Sequence, residues 1–223
     1  MASVAIDGPA GAGKSTIAKL VAKDLQAIYV DTGAMYRAIA VYFLRNQLDP
    51  EIPEQVEQAC KSIEVSISYE DGAQQVWLNG ENVTPFLRTE EVGNMASKSS
   101  AKQPVRDALL QLQRDMAAKN TVVMDGRDIG TNVLPNAEVK IYLTASSAER
   151  ARRRYEELKQ KGEICDLEQI EADIIKRDEQ DMSRAIAPLK QAEDAYYLDS
   201  SNLTIAEVVE VILNQCKEKG LWK

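Results

Sequence analysis

The chain has 223 residues, and its 27 Lys and Arg against 35 Asp and Glu give a net charge of −8 with no histidine at all. The missing imidazole excludes Ser-His-Asp and Cys-His nucleophiles, His-ligated zinc or haem, and histidine acid–base catalysis, while chemistry run by Lys, Arg and a divalent cation stays open. The acidic balance argues against a nucleic-acid partner, three cysteines with no CxxC pair point to a reducing cytoplasm, and no apolar run reaches the ~18 residues of a membrane span.

Met1-Ala2-Ser3 runs straight into an apolar segment, which leaves no room for a signal peptide. Ser3–Asp7 reads as a short buried strand, followed by a Gly-rich turn and an amphipathic helix from Lys14 to Gln26 with Ile17, Leu20, Val21 and Leu25 on one face. Ala27–Asp31 is a second strand, and a helical pattern runs from Met35 through Leu44. Ile63, Val65, Ile67 and Tyr69 then alternate with polar residues, and Asp71-Gly72 and Asn79-Gly80 supply hairpin turns, so 62–84 predicts an antiparallel meander. Helices are expected over Thr89–Lys102 and Pro104–Lys119, and central strands over Thr121–Met124 and Val139–Leu143.

Ser146 with Glu149, and Thr204 with Glu207, are capping-box signatures, opening an Arg-rich helix to Lys161 and the last helix of the chain. A polar break from Gly162 to Asp166 precedes a helix from Leu167 to about Ser183, and Tyr196–Leu198 is the final strand. Strands alternating with helices predict a parallel α/β sheet with right-handed crossovers.

Gly8-Pro9-Ala10-Gly11-Ala12-Gly13-Lys14-Ser15 satisfies G-x-x-x-x-G-K-[ST], a string expected by chance in about 0.3% of chains this long if all residues were equally frequent. Glycines let the backbone curl its N–H groups around phosphate oxygens, and the following helix N-terminus adds positive potential. Lys14 is placed to reach the β- and γ-phosphates of a nucleoside triphosphate, with the Ser15 hydroxyl as a Mg²⁺ ligand. Neither N/T-K-x-D nor D-x-x-G, the base and γ-phosphate readers of GTPases, occurs.

Two polar clusters follow strands, where α/β folds place ligands: Asp31-Thr32-Gly33-Ala34-Met35-Tyr36-Arg37 and Asp125-Gly126-Arg127-Asp128-Ile129-Gly130-Thr131. Arg177, Asp181 and Arg184 at i, i+4, i+7 share one helical face, either as a solvated ion-pair ladder or as cationic groups aimed into a cleft. Of Arg150, Arg152, Arg153 and Arg154, some are expected in solvent and one or two over a transferring phosphate.

IDGPAGAGKST (6–16), DTGAMYR (31–37), the hairpin insert, DGRDIGT (125–131) and RDEQDMSRAIAPL (177–189) together resemble the bacterial-type cytidylate kinases, nucleoside monophosphate kinases, in the family's order and over essentially the whole chain. The resemblance implies a single P-loop kinase domain over 1–223, its α/β core a five-stranded parallel sheet flanked by helices with strand 1 beside strands 3 and 4. It implies a small antiparallel β/helical monophosphate-binding insert over 60–103 and a short lid over 152–166. It implies ATP as phosphoryl donor held by Gly8, Pro9, Ala10, Gly11, Ala12, Gly13, Lys14, Ser15 and Thr16, with Mg²⁺. Thr32, Arg37, Arg127 and Arg184 would grip the acceptor phosphate, Ser97, Arg106 and Asp128 the cytosine edge, and Arg177 and Asp181 the sugar of CMP or dCMP. Lys14, Arg127, Asp128 and Arg184 are the expected catalytic set, in a cytoplasmic monomer. A kinase for UMP or a non-nucleotide acceptor, or a nucleotide-gated interaction module, stands as the alternative.

Overall fold

The computed structural model describes residues 1–221. The chain divides into two compact units, one of residues 1–29 together with the chain from Thr121 onward, the other Val30–Asn120.

β1 (Ser3–Asp7) leads through the glycine loop into α1 (Lys14–Asp24), and β2 (Ile28–Asp31) follows. The first helix stops two residues before its expected end, because Gln26 turns into the left-handed region at φ 53°. α2 (Thr32–Arg45) begins three residues earlier than the periodicity suggests. Asp31 caps it by accepting from the Ala34 N–H at 2.9 Å, which draws Thr32 and Gly33 into the helix. α3 (Pro53–Ser62) has no counterpart in the expected elements; Ile52 precedes it without a side-chain cap, and Pro53 supplies its fixed φ at the start.

β3 (Val65–Glu70), β4 (Ala73–Leu78) and β5 (Glu81–Asn82) form the antiparallel meander. Both turns take left-handed φ on two successive residues, 50° and 76° at Asp71-Gly72 and 50° and 82° at Asn79-Gly80, as two-residue hairpins require. α4 (Glu90–Ser99) starts at its Thr89 cap, and α5 (Gln103–Lys119) closes the unit. Val76, Leu78, Val83, Leu87 and Val92 pack on Ala34, Ala38 and Val41 of α2, so the meander buries one face on that helix.

β6 (Val122–Gly126) runs two residues further than its apolar run, so Asp125 lies inside the strand. A π-helical turn (Ile129–Val133) and β7 (Val139–Thr144) follow, then α6 (Ser147–Gln160), α7 (Leu167–Met182), β8 (Tyr196–Asp199) and α8 (Ile205–Glu218). Among the described residues five strands make a sheet in the order β2-β6-β1-β7-β8, with β1 parallel to both β6 and β7. The expected neighbours of strand 1 are therefore its observed ones. β1, β6 and β7 are apolar along nearly their whole length because both faces are covered, and Val4, Ile6, Val123, Ile141 and Leu143 share a core with Ile17, Val21, Ile212 and Leu213.

Thr204 and Glu207 form the full reciprocal box at α8. At α6 the box is half made: Ser146 accepts from the Glu149 N–H at 3.2 Å, but the Glu149 carboxylate turns to Arg152 and Arg153 at 2.8–2.9 Å. Two guanidiniums outcompete one neutral backbone donor. Arg184 also departs from expectation. α7 is capped at Ser183, so Arg184 lies beyond it rather than on its face.

Candidate functional site

The loop between β1 and α1 depends on Gly8. Its φ is 150°, and a Cβ there would collide with the Leu143 carbonyl oxygen of the neighbouring strand. Gly13 precedes α1 at φ 82° and has no side chain to cap it, so the first N–H groups of the helix face the loop. Lys14 is buried, and its Nζ donates to the Pro9 carbonyl at 2.7 Å. Burial, followed by the positive charge of Arg127, pulls the Lys14 ammonium well below the ordinary lysine range against the opposing pull of Asp125, Asp7 and Asp181. An anionic ligand in this loop relieves that cost.

The sequence alone assigns Asp125 no role. Its Oδ2 accepts from the Ser15 hydroxyl at 2.9 Å and its Oδ1 from the Tyr29 hydroxyl at 3.0 Å. The signal was available: an apolar strand ending in a carboxylate next to a phosphate loop.

Just past β6, Arg127 donates Nε to Asp181 at 3.1 Å and Nη1 to the Gly126 carbonyl at 3.0 Å. Arg184 meets the other oxygen of Asp181 at 2.5 Å although it has left the helix. Asp181 is only 1% exposed, which removes the solvated-ladder alternative for the Asp181–Arg184 pair. Two guanidiniums on one buried carboxylate leave a net positive centre suited to an anionic group. Arg177 lies one turn before Asp181 on α7. Asp128 is buried, and Asn132 Nδ2 holds its Oδ2 at 3.1 Å.

The arginine run on α6 divides cleanly. Arg150 is buried and donates Nε to the Ala145 carbonyl at 2.9 Å, Nη1 to the Ala10 carbonyl of the loop at 2.8 Å, and Nη2 to Asp178 at 2.5 Å. Arg153 bonds Glu149 and the Ser200 carbonyl at 2.9 Å each, while Arg152 and Arg154 form exposed pairs with Glu149, Glu156 and Glu157.

In the unit of residues 30–120, Thr32 is buried at the start of α2 and Arg37 stands five residues on. Asp31 is held on every side. Gln74 of β4 takes its backbone N–H at 2.9 Å and returns a bond to its carbonyl at 3.1 Å, and Arg88 reaches its Oδ2 at 2.8 Å. The inserted meander thus fixes the turn that presents Thr32 and Arg37. Ser97 on α4 and Arg106 on α5 are buried, and the Arg106 guanidinium sits 5.5 Å from the centre of the Tyr36 ring. Among the described residues no group of three or more acidic or cysteine side chains forms a metal cluster, and no helix is long and apolar enough to cross a membrane.

A sequence model of the family described as cytidylate kinase matches residues 4–218. A protein named cytidylate kinase from Caldicellulosiruptor bescii is 50% identical over 211 residues, covering 95% of this chain and 93% of that protein. Proteins of the same name from Geobacter sp. strain M21 and Carboxydothermus hydrogenoformans are each 49% identical, over 97% and 94% of this chain and 93% and 95% of theirs. A solved structure of an uncharacterized protein from Eubacterium ventriosum shares the fold, with a TM-score of 0.55 at 10% identity over 97% of this chain and 99% of that one.

Proposed function

Since the chain belongs to the cytidylate kinase family, we propose that it transfers the γ-phosphoryl group of ATP to CMP or dCMP, giving ADP and CDP or dCDP, as a cytoplasmic monomer. The observation that carries the assignment of roles is the second cationic centre, Arg127 and Arg184 joined by Asp181, in the same compact unit as the phosphate loop.

The Gly8–Thr16 backbone and Lys14 hold the triphosphate. Thr32 and Arg37 grip the acceptor phosphate together with Arg127 and Arg184, and Arg177 with Asp181 meets the sugar. An acceptor phosphate oxygen attacks the γ-phosphorus in line as the bond to the β–γ bridging oxygen breaks, and ADP leaves. That oxygen is already anionic near neutral pH, so no strong general base is required, in keeping with a chain that has no histidine. The obstacle is repulsion between two polyanions, and the fixed guanidiniums and Lys14 stabilise the charge on the transferring group. Ser15 and Asp125, with oxygens 2.9 Å apart, are the hard oxygen donors that would hold a Mg²⁺ ion. When bound there, the ion neutralises β- and γ-phosphate charge. The 152–166 segment serves as the lid that excludes water, which would otherwise hydrolyse ATP, and residues 60–103 as the monophosphate-binding insert.

Cytosine is chosen by polarity. Its N4 amine donates to Asp128, while Ser97 and Arg106 donate to N3 or O2. Uracil reverses the polarity at positions 3 and 4 and leaves the Asp128 carboxylate facing an oxygen, a mismatch of buried groups.

An acceptor panel tests the assignment. ADP forms rapidly from ATP with CMP or dCMP and hardly at all with AMP or GMP; equal rates across all monophosphates contradict the base-reading roles. Lys14→Ala abolishes turnover while circular dichroism shows a retained fold, and surviving activity removes Lys14 from the mechanism.

A further inference from the structure

β1 ends on Asp7, the residue before the phosphate loop. Its carboxylate is 5% exposed, and both oxygens accept from consecutive backbone amides, Oδ1 from the Ile129 N–H at 2.8 Å and Oδ2 from the Gly130 N–H at 2.7 Å. Those amides open the π-helical turn that comes directly after Arg127 and Asp128. The fit is close, since a methyl group on Gly130 would stand 3.3 Å from Asp7 Oδ2 and 3.2 Å from Lys140 Cδ.

A buried carboxylate is unfavourable unless its lone pairs are used, and here the donors are two backbone groups, not a cation. The consequence is geometric. β6 ends at Gly126 and the anchored amide is at residue 129, so only Arg127 and Asp128 bridge two fixed points, a reach of at most about 10 Å of extended chain. Anchoring both ends of so short a link restricts the backbone of the two residues that carry phosphate and base recognition. Asn132, in the same turn, then orients the Asp128 carboxylate through its 3.1 Å bond.

We propose that Asp7 is a positioning residue for acceptor recognition: by pinning the 129–133 turn to the end of β1, it fixes Arg127 and Asp128 in register with the phosphate loop that begins at the next residue. This role rests on the kinase assignment above, and it extends the recognition set to a residue that itself meets neither nucleotide.

The test compares Asp7→Asn and Gly130→Ala with the wild-type chain. Asparagine keeps one acceptor but sets an NH₂ group against an N–H, whereas the Gly130 methyl crowds an intact carboxylate. Steady-state kinetics with CMP and UMP at saturating ATP are measured alongside calorimetric affinity for a non-hydrolysable ATP analogue. For Asp7→Asn, kcat/KM for CMP falls about tenfold or more, mostly through KM, and the preference for CMP over UMP narrows, while analogue affinity stays within about threefold. Gly130→Ala gives a milder version of the same split. Unchanged CMP kinetics, or equal losses of CMP and analogue binding, overturn the positioning role. Should Asp7→Asn fail to fold, Gly130→Ala decides alone, its KM split supporting the role and wild-type CMP parameters overturning it. A wild-type chain that does not phosphorylate CMP overturns the kinase assignment itself, whereas an active wild type with indifferent variants overturns only the role of Asp7.

Discussion

Arg150 shows how one residue in a run of like charges acquires a separate task. Three of its donors are used by the Ala145 and Ala10 carbonyls and by Asp178, out of solvent. Removing one partner leaves a buried charge unpaired, so Asp178→Asn should lower unfolding stability by about 3–5 kcal/mol in urea titrations. Arg152→Met, which loses only exposed pairs, should cost less than about 1 kcal/mol. A comparable loss in both variants would contradict the division of the arginine run. The sequence places four arginines within five positions, and nothing in their spacing singles out Arg150. Its burial comes from packing against the Gly11 backbone, where a methyl would stand 3.3 Å from Arg150 Cβ, a tertiary fact with no local signature. Asp125 and Asp7 were hidden for a related reason: each sits at the end of an apolar run, where an acid reads equally as a strand terminus or as a site.

Elements were legible where their signals are local. The Asp-Gly and Asn-Gly turns, the alternation from Val65 to Tyr69, and the Thr204–Glu207 box are each written in adjacent residues, and each forms as expected, while Ile63, read into the same alternation, flanks the end of α3 before the strand starts. Thr204→Ala should destabilise the chain by about 1 kcal/mol in thermal or chemical unfolding, and no change would mean that the α8 terminus is satisfied some other way. α3 was missed although Pro53 with Val56, Ala59 and Cys60 at helical spacing marks it, because no polar cap announces its start. The Arg184 placement failed differently. A helical wheel extended past Ser183 puts Arg184 on the right face, but the chain leaves the helix there and takes a left-handed residue at Ala187. The Asp181–Arg184 pair survives through a folded-back segment, with the Leu189 N–H bonded to the Asp181 carbonyl at 2.9 Å.

On the scale of the whole molecule, the parallel α/β sheet followed from the alternation of strands and helices and the neighbours of strand 1 from the family resemblance, whereas the ionic wiring of the buried site followed from neither. That wiring has a pH signature. Burial is the largest influence on the Asp7 carboxyl and pushes it from 3.8 up to about 6, against the two backbone N–H bonds that favour the anion. The folded state therefore holds this proton more tightly than the unfolded chain does. The resulting stabilisation is complete below about pH 4 and is lost as pH rises through about 6, a change of order 3 kcal/mol. The sign is opposite for Asp194, whose carboxylate is lowered chiefly by the Lys140 hydrogen bond and adds stability that fades on acidification. Urea titrations of wild type and Asp7→Asn at about pH 4 and about pH 7 separate the two effects. The wild type should lose stability relative to the variant as pH rises, and a gap that is constant or of opposite slope would contradict the raised Asp7 carboxyl.

The most direct test of the whole account is the product balance when the chain meets ATP, Mg²⁺ and CMP, followed by ³¹P magnetic resonance. ADP and CDP should appear together in equal amounts with no build-up of inorganic phosphate. ADP accompanied by inorganic phosphate and no CDP would mean that the phosphate loop hydrolyses its nucleotide without an acceptor, and the paired-site mechanism would fall.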